Sequence, residues 1–293
     1  MLISRLIGGL GNQMFQYAAV RALASAQLNT FKLDVSSLIR ETHHQGFQLQ
    51  DIFKGTFETA TSVDLRATLG RWKSLSNMQY LLSKPIGSAF RGSNYVVEPH
   101  FQFWPGLRYV CTNAYLAGYW QSERYFFDCA QTIRDDFTFR LPITNQNTAL
   151  VDQIKKNNSV SLHVRRGDYA NSPSTAAHHG VCSSAYYQHA IHHILEKVGP
   201  AVVFVFSDDP QWVRVNLQVN GPCVYVDHNR GPASYVDMQL MSLCNHHIIA
   251  NSSFSWWGAW LNPNVGKIVV APKNWFARPV LTQDLLPSDW VCL

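Results

Sequence analysis

Between residues 159 and 271 five short apolar runs alternate with segments of helical period, a pattern that few folds satisfy. The runs are Ser159 to Val164, Ala201 to Phe206, Cys223 to Val226, His247 to Ala250 and Lys267 to Ala271. Between them lie Ser184 to Val198, a segment opened by Ser207-Asp208-Asp209-Pro210, Ala233 to Cys244, and a segment starting at Ser253. Near-continuous apolar strands separated by helices predict a parallel, doubly wound sheet covered on both faces. Ligands of such sheets sit beyond the carboxyl ends of the strands.

A second α/β unit is expected upstream. Met1 to Ile7 reads as a buried strand and Gly8-Gly9-Leu10-Gly11 as a tight turn. Asn12 to about Gln27 places Phe15, Ala18, Ala19, Ala22, Leu23 and Ala26 at helical spacing, and Thr30 to Leu33 forms the next strand, ending at Asp34. From 35 to 110 the pattern is irregular, with one helical stretch from Val63 to Leu82; another helix is expected from after Ser122 to Phe137. The polar, proline-marked stretch Leu141 to Asn147 predicts a linker. The expected architecture is α/β: two Rossmann-like domains, residues 1–145 and 146–293, with a cleft between them.

A net charge of 24 − 19 = +5, without any long run of one sign, argues against a nucleic-acid partner and suits an anionic small ligand met by a few local arginines. The six cysteines show no C-x-x-C pair or regular spacing, so neither a disulfide framework nor a zinc knuckle is signalled. The apolar N-terminal run is too short for a signal peptide or membrane anchor, which predicts a cytoplasmic setting with at most peripheral membrane contact. His189, His192 and His193 share a helix, but no H-E-x-x-H motif exists and no two aspartates are separated by one residue. No metal site is expected.

Three strand ends in the second half carry polar residues. In His163-Val164-Arg165-Arg166-Gly167-Asp168-Tyr169 the strand delivers His163 and Arg165 to one face, and a guanidinium fixed there suits a diphosphate. The competing reading is an Arg165–Asp168 ion pair closing a surface turn. Asn251-Ser252-Ser253-Phe254-Ser255 opens a helix, and its amides and hydroxyls form an anion site or a simple serine N-cap. Ser207-Asp208-Asp209-Pro210 reads as a helix start with structural duty. Asp237 lies among Val236, Met238 and Leu240; its carboxylate either accepts two bonds from a guanine edge or faces solvent.

The first glycine turn fails the dinucleotide fingerprint, because Met14 stands where the third glycine belongs, and it lacks the Lys and Ser/Thr of a P-loop. It leaves Gly11, Asn12 and Gln13 at a helix N-terminus, with hydrogen-bond donors expected to face the cleft. No G-x-S-x-G elbow is present. Nine tryptophans and twelve tyrosines fit either a sugar site or a core.

Three motifs, Gly8-Gly9-Leu10-Gly11-Asn12-Gln13-Met14-Phe15-Gln16-Tyr17-Ala18, His163 to Tyr169, and Asn251-Ser252-Ser253-Phe254-Ser255-Trp256-Trp257-Gly258-Ala259-Trp260-Leu261-Asn262, occur in this order. Together they resemble the alpha-1,2-fucosyltransferases of glycosyltransferase family 11. The resemblance implies a GT-B architecture and an inverting, metal-independent transfer of fucose from GDP-β-L-fucose, a co-substrate rather than a cofactor, to the 2-hydroxyl of a galactose-terminated acceptor. It implies that Arg165 holds the diphosphate, that Ser253, with Ser252 and Phe254 beside it, touches phosphate, and that Asp237 contacts guanine. An inverting transfer also calls for a proton acceptor, for which Asp168 is the candidate, followed by His178 and His179, with His163 close by on the strand. A nicotinamide-dependent dehydrogenase and a lectin-like sugar-binding protein are the rival classes; neither accounts for arginine and serine sites at strand ends.

Overall fold

The computed structural model describes residues 1–40, 45–144, 146–167, 177 and 180–293. The chain divides into two compact units, Met1–Arg140 with Leu281–Pro287, and Leu141–Val280 with Ser288–Leu293. The return of 281–287 to the first unit is anchored by Asp284, which accepts the Phe103 N–H and pairs with Arg124.

In the first unit β1 (Leu2–Arg5), α1 (Leu10–Ala26) and β2 (Phe31–Asp34) form the expected βαβ unit. Gly8 makes the turn because its φ is +77°, and a Cβ there would meet Asn12 Nδ2 at 2.6 Å. After α2 (Leu49–Ile52), the single helix expected from 63 to 82 is two, α3 (Ser62–Leu69) and α4 (Ser76–Ser83). A Thr61–Asp64 capping box starts α3, and Gly70 at φ +80° ends it. Two strands without a sequence signal, β3 (Tyr95–Val97) and β4 (Ala114–Ala117), complete a parallel sheet of order β2-β1-β4-β3. Runs of three and four residues are too short to show alternation. The helix expected after Ser122 begins as two 3₁₀ turns separated by Phe126 at φ −132°, and only α5 (Ala130–Asp136) is α-helical.

The second unit opens with α6 (Gln146–Lys156), which buries Leu150 and Ile154, so the expected linker is already helical at 146. Then follow β5 (Ser159–Val164), α7 (Ser184–Val198), β6 (Val202–Ser207), α8 (Pro210–Asn216), β7 (Cys223–Val226), α9 (Tyr235–Leu243), β8 (His246–Ile248), α10 (Ser253–Leu261), β9 (Val269–Ala271) and β10 (Val291–Cys292). The strands are parallel in the order β10-β9-β8-β5-β6-β7; β10, two residues long, has no sequence signature. Every residue of β5 is buried, as a central parallel strand requires, and Leu162, Val164, Val203 and Val205 pack with Tyr187, Ile191 and Ile194 of α7. The motif tryptophans 256, 257 and 260 are buried core residues, with Trp256 5.4 Å from Trp290. All six cysteines are free thiols. Among the described residues no helix is long and apolar enough to cross a membrane.

Candidate active site

Strand register brings the central residues together. Val164 pairs with Ser207 and Leu162 with Ile248, so the segments beginning at Arg165, Asp208 and Asn251 emerge side by side from three adjacent strands. Arg165 Nη1 lies 2.9 Å from Asp208 Oδ2, and the Arg166 N–H donates to Asp208 Oδ1 at 2.8 Å. Asp208 is thus an acid that holds the arginine; Asp168, the partner in the ion-pair reading, and His178 and His179 lie outside the described residues. The Arg165 side chain stays 31% exposed, so its pairing leaves it reachable.

Gly167 completes the clamp. A Cβ there would stand 2.9 Å from Asp208 Oδ2, inside the distance real contacts allow. Gly167→Ala is therefore expected to push Asp208 off Arg165 and cut turnover about a hundredfold, the cost of a displacement near 1 Å. Melting should shift little; turnover unchanged in a steady-state assay would remove Asp208 from the site.

Asp209 does what the helix-start reading expects, accepting the Trp212 N–H at 3.1 Å with Pro210 in the first turn. The neighbouring Arg166 lies over the Trp212 ring at 3.8 Å and is packed rather than presented. His163 is 6% exposed, its Nδ1 has no partner, and its ring centroid is 5.8 Å from that of Phe254. Burial, reinforced by Arg165 and opposed by Asp208, lowers its pKa to about 4. The imidazole is neutral near pH 7, so it supplies an N–H but no charge.

Ser252 is the N-cap residue of α10 yet makes no side-chain capping bond, so simple serine capping does not account for it. Ser253 and Phe254 form the first turn and are partly exposed. Asn251 is buried and fastens the segment, donating to Trp275 O at 3.2 Å and accepting from Cys182 Sγ at 3.4 Å.

Asp237 is a half-buried carboxylate in the first turn of α9, not a solvated one. Its Oδ1 accepts from Asn229 Nδ2 at 2.8 Å; Asn229 in turn bonds Asn147, which also meets His228 Nε2 at 2.8 Å. Burial raises Asp237 to about 7, against the lowering effects of the Asn229 bond and Arg230.

The remaining expected residues belong to the first unit. Gly11 is buried in the first turn of α1, and Asn12 accepts from Gln121 Nε2 at 2.7 Å. Gln13, expected to face a ligand, is fully buried: its amide donates to Gly8 O at 3.1 Å and Gly46 O at 2.8 Å, and its Oε1 accepts the Gln48 N–H. It holds the turn from beneath. Sequence reasoning missed Asp208 and Asn229 as partners of Arg165 and Asp237; aligning the ends of β5 and β6 would have found the first, whereas the second is a loop residue with no pattern. Among the described residues no group of three or more His, Cys, Asp or Glu side chains forms a metal cluster.

The parallel α/β fold thus brings a clamped arginine and a helix start together at adjacent strand ends, the edge at which such sheets bind their ligands. The family model for glycosyl transferase family 11 matches residues 99–293, and the chain belongs to that family. It is 36% identical to an alpha-1,2-colitosyltransferase of Escherichia coli, over 99% of this chain and 98% of the relative. It is equally 36% identical to the O-antigen biosynthesis glycosyltransferase WbnK of Escherichia coli, with both chains covered completely. Identity to galactoside alpha-(1,2)-fucosyltransferase 1 of Sus scrofa is 25%, over 87% of this chain and 63% of that one. Among solved structures, fucosyltransferase NodZ from Bradyrhizobium shares the fold at TM-score 0.55 and 19% identity, covering 89% of this chain and 92% of NodZ. The protein is a family 11 glycosyltransferase.

Proposed function

We propose that the chain transfers L-fucose from GDP-β-L-fucose to the 2-hydroxyl of a terminal β-galactoside, inverting the anomeric carbon in a single displacement within a GT-B type fold. The observation that carries this reading is the Arg165 guanidinium, locked by Asp208 at a strand end beside the start of α10. As the anomeric C–O bond breaks, negative charge gathers on the departing diphosphate. A pre-oriented guanidinium together with the helix start at Ser252, Ser253 and Phe254 stabilises that charge without a metal ion. The neutral His163 N–H is a further donor on the same strand. In the first unit, Gly11 and Asn12 present the turn that Gln13 holds. With no spanning helix among the described residues, a cytoplasmic enzyme in at most peripheral membrane contact fits this reading.

Asp237 accepts the two guanine N–H groups only when ionised. With burial holding its carboxyl up to about 7, against the Asn229 bond and the Arg230 charge, protonation below pH 7 removes an acceptor. GDP affinity is therefore expected to fall nearly tenfold from pH 7.5 to 6, one pKa unit of titration corresponding to about a factor of ten. Calorimetry should show this slope vanish in Asp237→Asn, whose affinity is low throughout; a parent slope retained in the variant assigns the titration elsewhere.

The colitosyltransferase relative favours a second reading, in which the same site takes the 3-deoxy analogue of fucose. Transfer of labelled sugar to lactose, from GDP-fucose and GDP-colitose separately and in the presence of EDTA, decides between them, with the linkage read by NMR. An alpha-1,2 fucosyl product supports the first reading; transfer from GDP-colitose alone supports the second. Loss of all transfer in EDTA that returns with a divalent cation overturns metal independence.

A further inference from the structure

Positive charge and exposed apolar surface gather on one stretch of the first unit that the chemistry above does not use. Residues 61–93 hold five cations, Arg66, Arg71, Lys73, Lys84 and Arg91, against one acid, Asp64, a net +4 of the +5 carried by the whole chain. Asp64 is spent internally, closing the capping box of α3 and pairing with Lys32 at 2.9 Å. Among the described residues none of Arg66, Arg71, Lys73 and Lys84 forms an ion pair with a carboxylate.

The same stretch presents large apolar side chains to solvent. Leu65 and Leu69 of α3 and Leu82 of α4 pack with Ile3, Tyr95 and Tyr115 of the sheet, which fixes the inner face of both helices and turns the rest outward. Trp72, between the helices, is 77% exposed; Ile86 and Phe90, on the 3₁₀ helix Pro85–Phe90 that follows α4, are 78% and 67% exposed. That 3₁₀ helix is held close to α4. A Cβ on Gly87 would run into Leu81 O, and Arg91 donates to Leu82 O at 2.7 Å and to Lys84 O at 2.8 Å. Cations and rings interleave: Arg66, Arg71, Trp72 and Leu75 line one open hollow, and Lys84 Nζ lies over the Tyr80 ring, 5.0 Å from its centre. An apolar patch rimmed by charge marks an interaction surface.

The composition separates the occupants. A second copy of the chain would set one such basic face against another in a two-fold contact, and like charges opposed across an interface repel. A nucleic acid would use the cations, but its phosphates and sugars give Leu75 and Ile86 no apolar partner. An anionic bilayer meets both demands. Its headgroups attract lysine and arginine, tryptophan and tyrosine rings favour headgroup depth, and aliphatic side chains reach the acyl boundary.

We propose that residues 66–91 form a docking surface for an anionic phospholipid bilayer, which the first unit meets through the outer face of α3, Trp72, α4 and the 3₁₀ helix. This holds whichever sugar the enzyme transfers. The apolar side chains supply binding that salt does not screen, and the cations supply preference for negative lipid, about fivefold for each.

Sedimentation of the full chain with vesicles tests the surface. Vesicles of equal parts phosphatidylglycerol and phosphatidylcholine are expected to bind more tightly than phosphatidylcholine alone by about a hundredfold. Arg66→Glu combined with Arg71→Glu should abolish that preference, whereas Lys155→Glu with Lys156→Glu, the same charge change on α6 of the second unit, should leave it within about threefold. Trp72→Ser with Ile86→Ser should make the remaining binding fully reversible by high salt. Equal losses in the two charge-reversed variants overturn the surface, since binding then follows net charge alone, and so does equal binding, or none, to the two kinds of vesicle. A dimer that Trp72→Ser with Ile86→Ser dissolves, or tighter retention by duplex DNA than by anionic vesicles, also overturns it. Should a variant prove misfolded, hydrogen exchange in the unaltered chain decides. Anionic vesicles are expected to slow exchange at 71–75 and 84–91, and unchanged exchange there overturns the proposal.

Discussion

Arg165→Ala is expected to reduce transfer about a thousandfold while the chain remains folded. The guanidinium is a full positive charge that β5 and Asp208 together hold at the junction of three strand ends. Removing a single oxyanion donor costs about 10²- to 10³-fold in kcat, and a full positive charge facing a departing diphosphate belongs at the upper end of that range. Stability is spared because Asp208 keeps its bond to the Arg166 N–H and the half-exposed carboxylate remains solvated. Arg165→Lys should recover only part of the rate, since a point charge cannot reproduce the planar fork. Near-normal turnover by Arg165→Ala, with an unchanged melting temperature, would refute the phosphate role.

Asn262→Leu is expected to destabilise the protein by about 3 kcal/mol, the cost of stranding buried hydrogen-bonding groups. Asn262 is 4% exposed; its Nδ2 donates to Cys244 O at 2.6 Å and meets His247 Nε2 at 2.8 Å, while its Oδ1 accepts the Asn264 N–H. Because the amide donates to Nε2, the proton of the neutral His247 sits on Nδ1 and points at Ser161 Oγ, 2.8 Å away. Burial holds that imidazole neutral, well below its ordinary pKa. This chain ties β5, β8 and the end of α10 together, and leucine at 262 leaves both Cys244 O and His247 Nε2 without a donor. At about 2–4 °C per kcal/mol for a chain of this size, the melting temperature should fall by about 10 °C. A shift under 2 °C in a thermal melt would show that water replaces the amide.

The third motif therefore divides between two duties. Its first residues, Ser252 to Phe254, stand at a helix start beside the arginine, whereas Trp256, Trp257, Trp260 and Asn262 build and lock the core. A sequence match weights both alike, because packing and chemistry restrict residue choice equally.

Several elements were legible from the chain alone. The βαβ opening and the alternation from 159 to 271 follow from local periodicity, since a buried parallel strand needs an unbroken apolar run and its covering helix needs a period near 3.6. The helix start at Asp209-Pro210 is likewise local, set by capping. The end of α3 at Gly70 is not legible in this way, since the stretch from 63 to 82 reads as one helix. Tertiary structure alone decided the pairings between distant residues. Asp208 reaches Arg165 across a strand register, Asn229 reaches Asp237 across a loop, and Glu98 meets the Tyr119 and Trp120 amides because β3 and β4 lie side by side. Each is a contact between residues remote in sequence or held by irregular backbone. Local periodicity carries no record of which strands become neighbours, and it is that adjacency which turns a list of polar residues into a site.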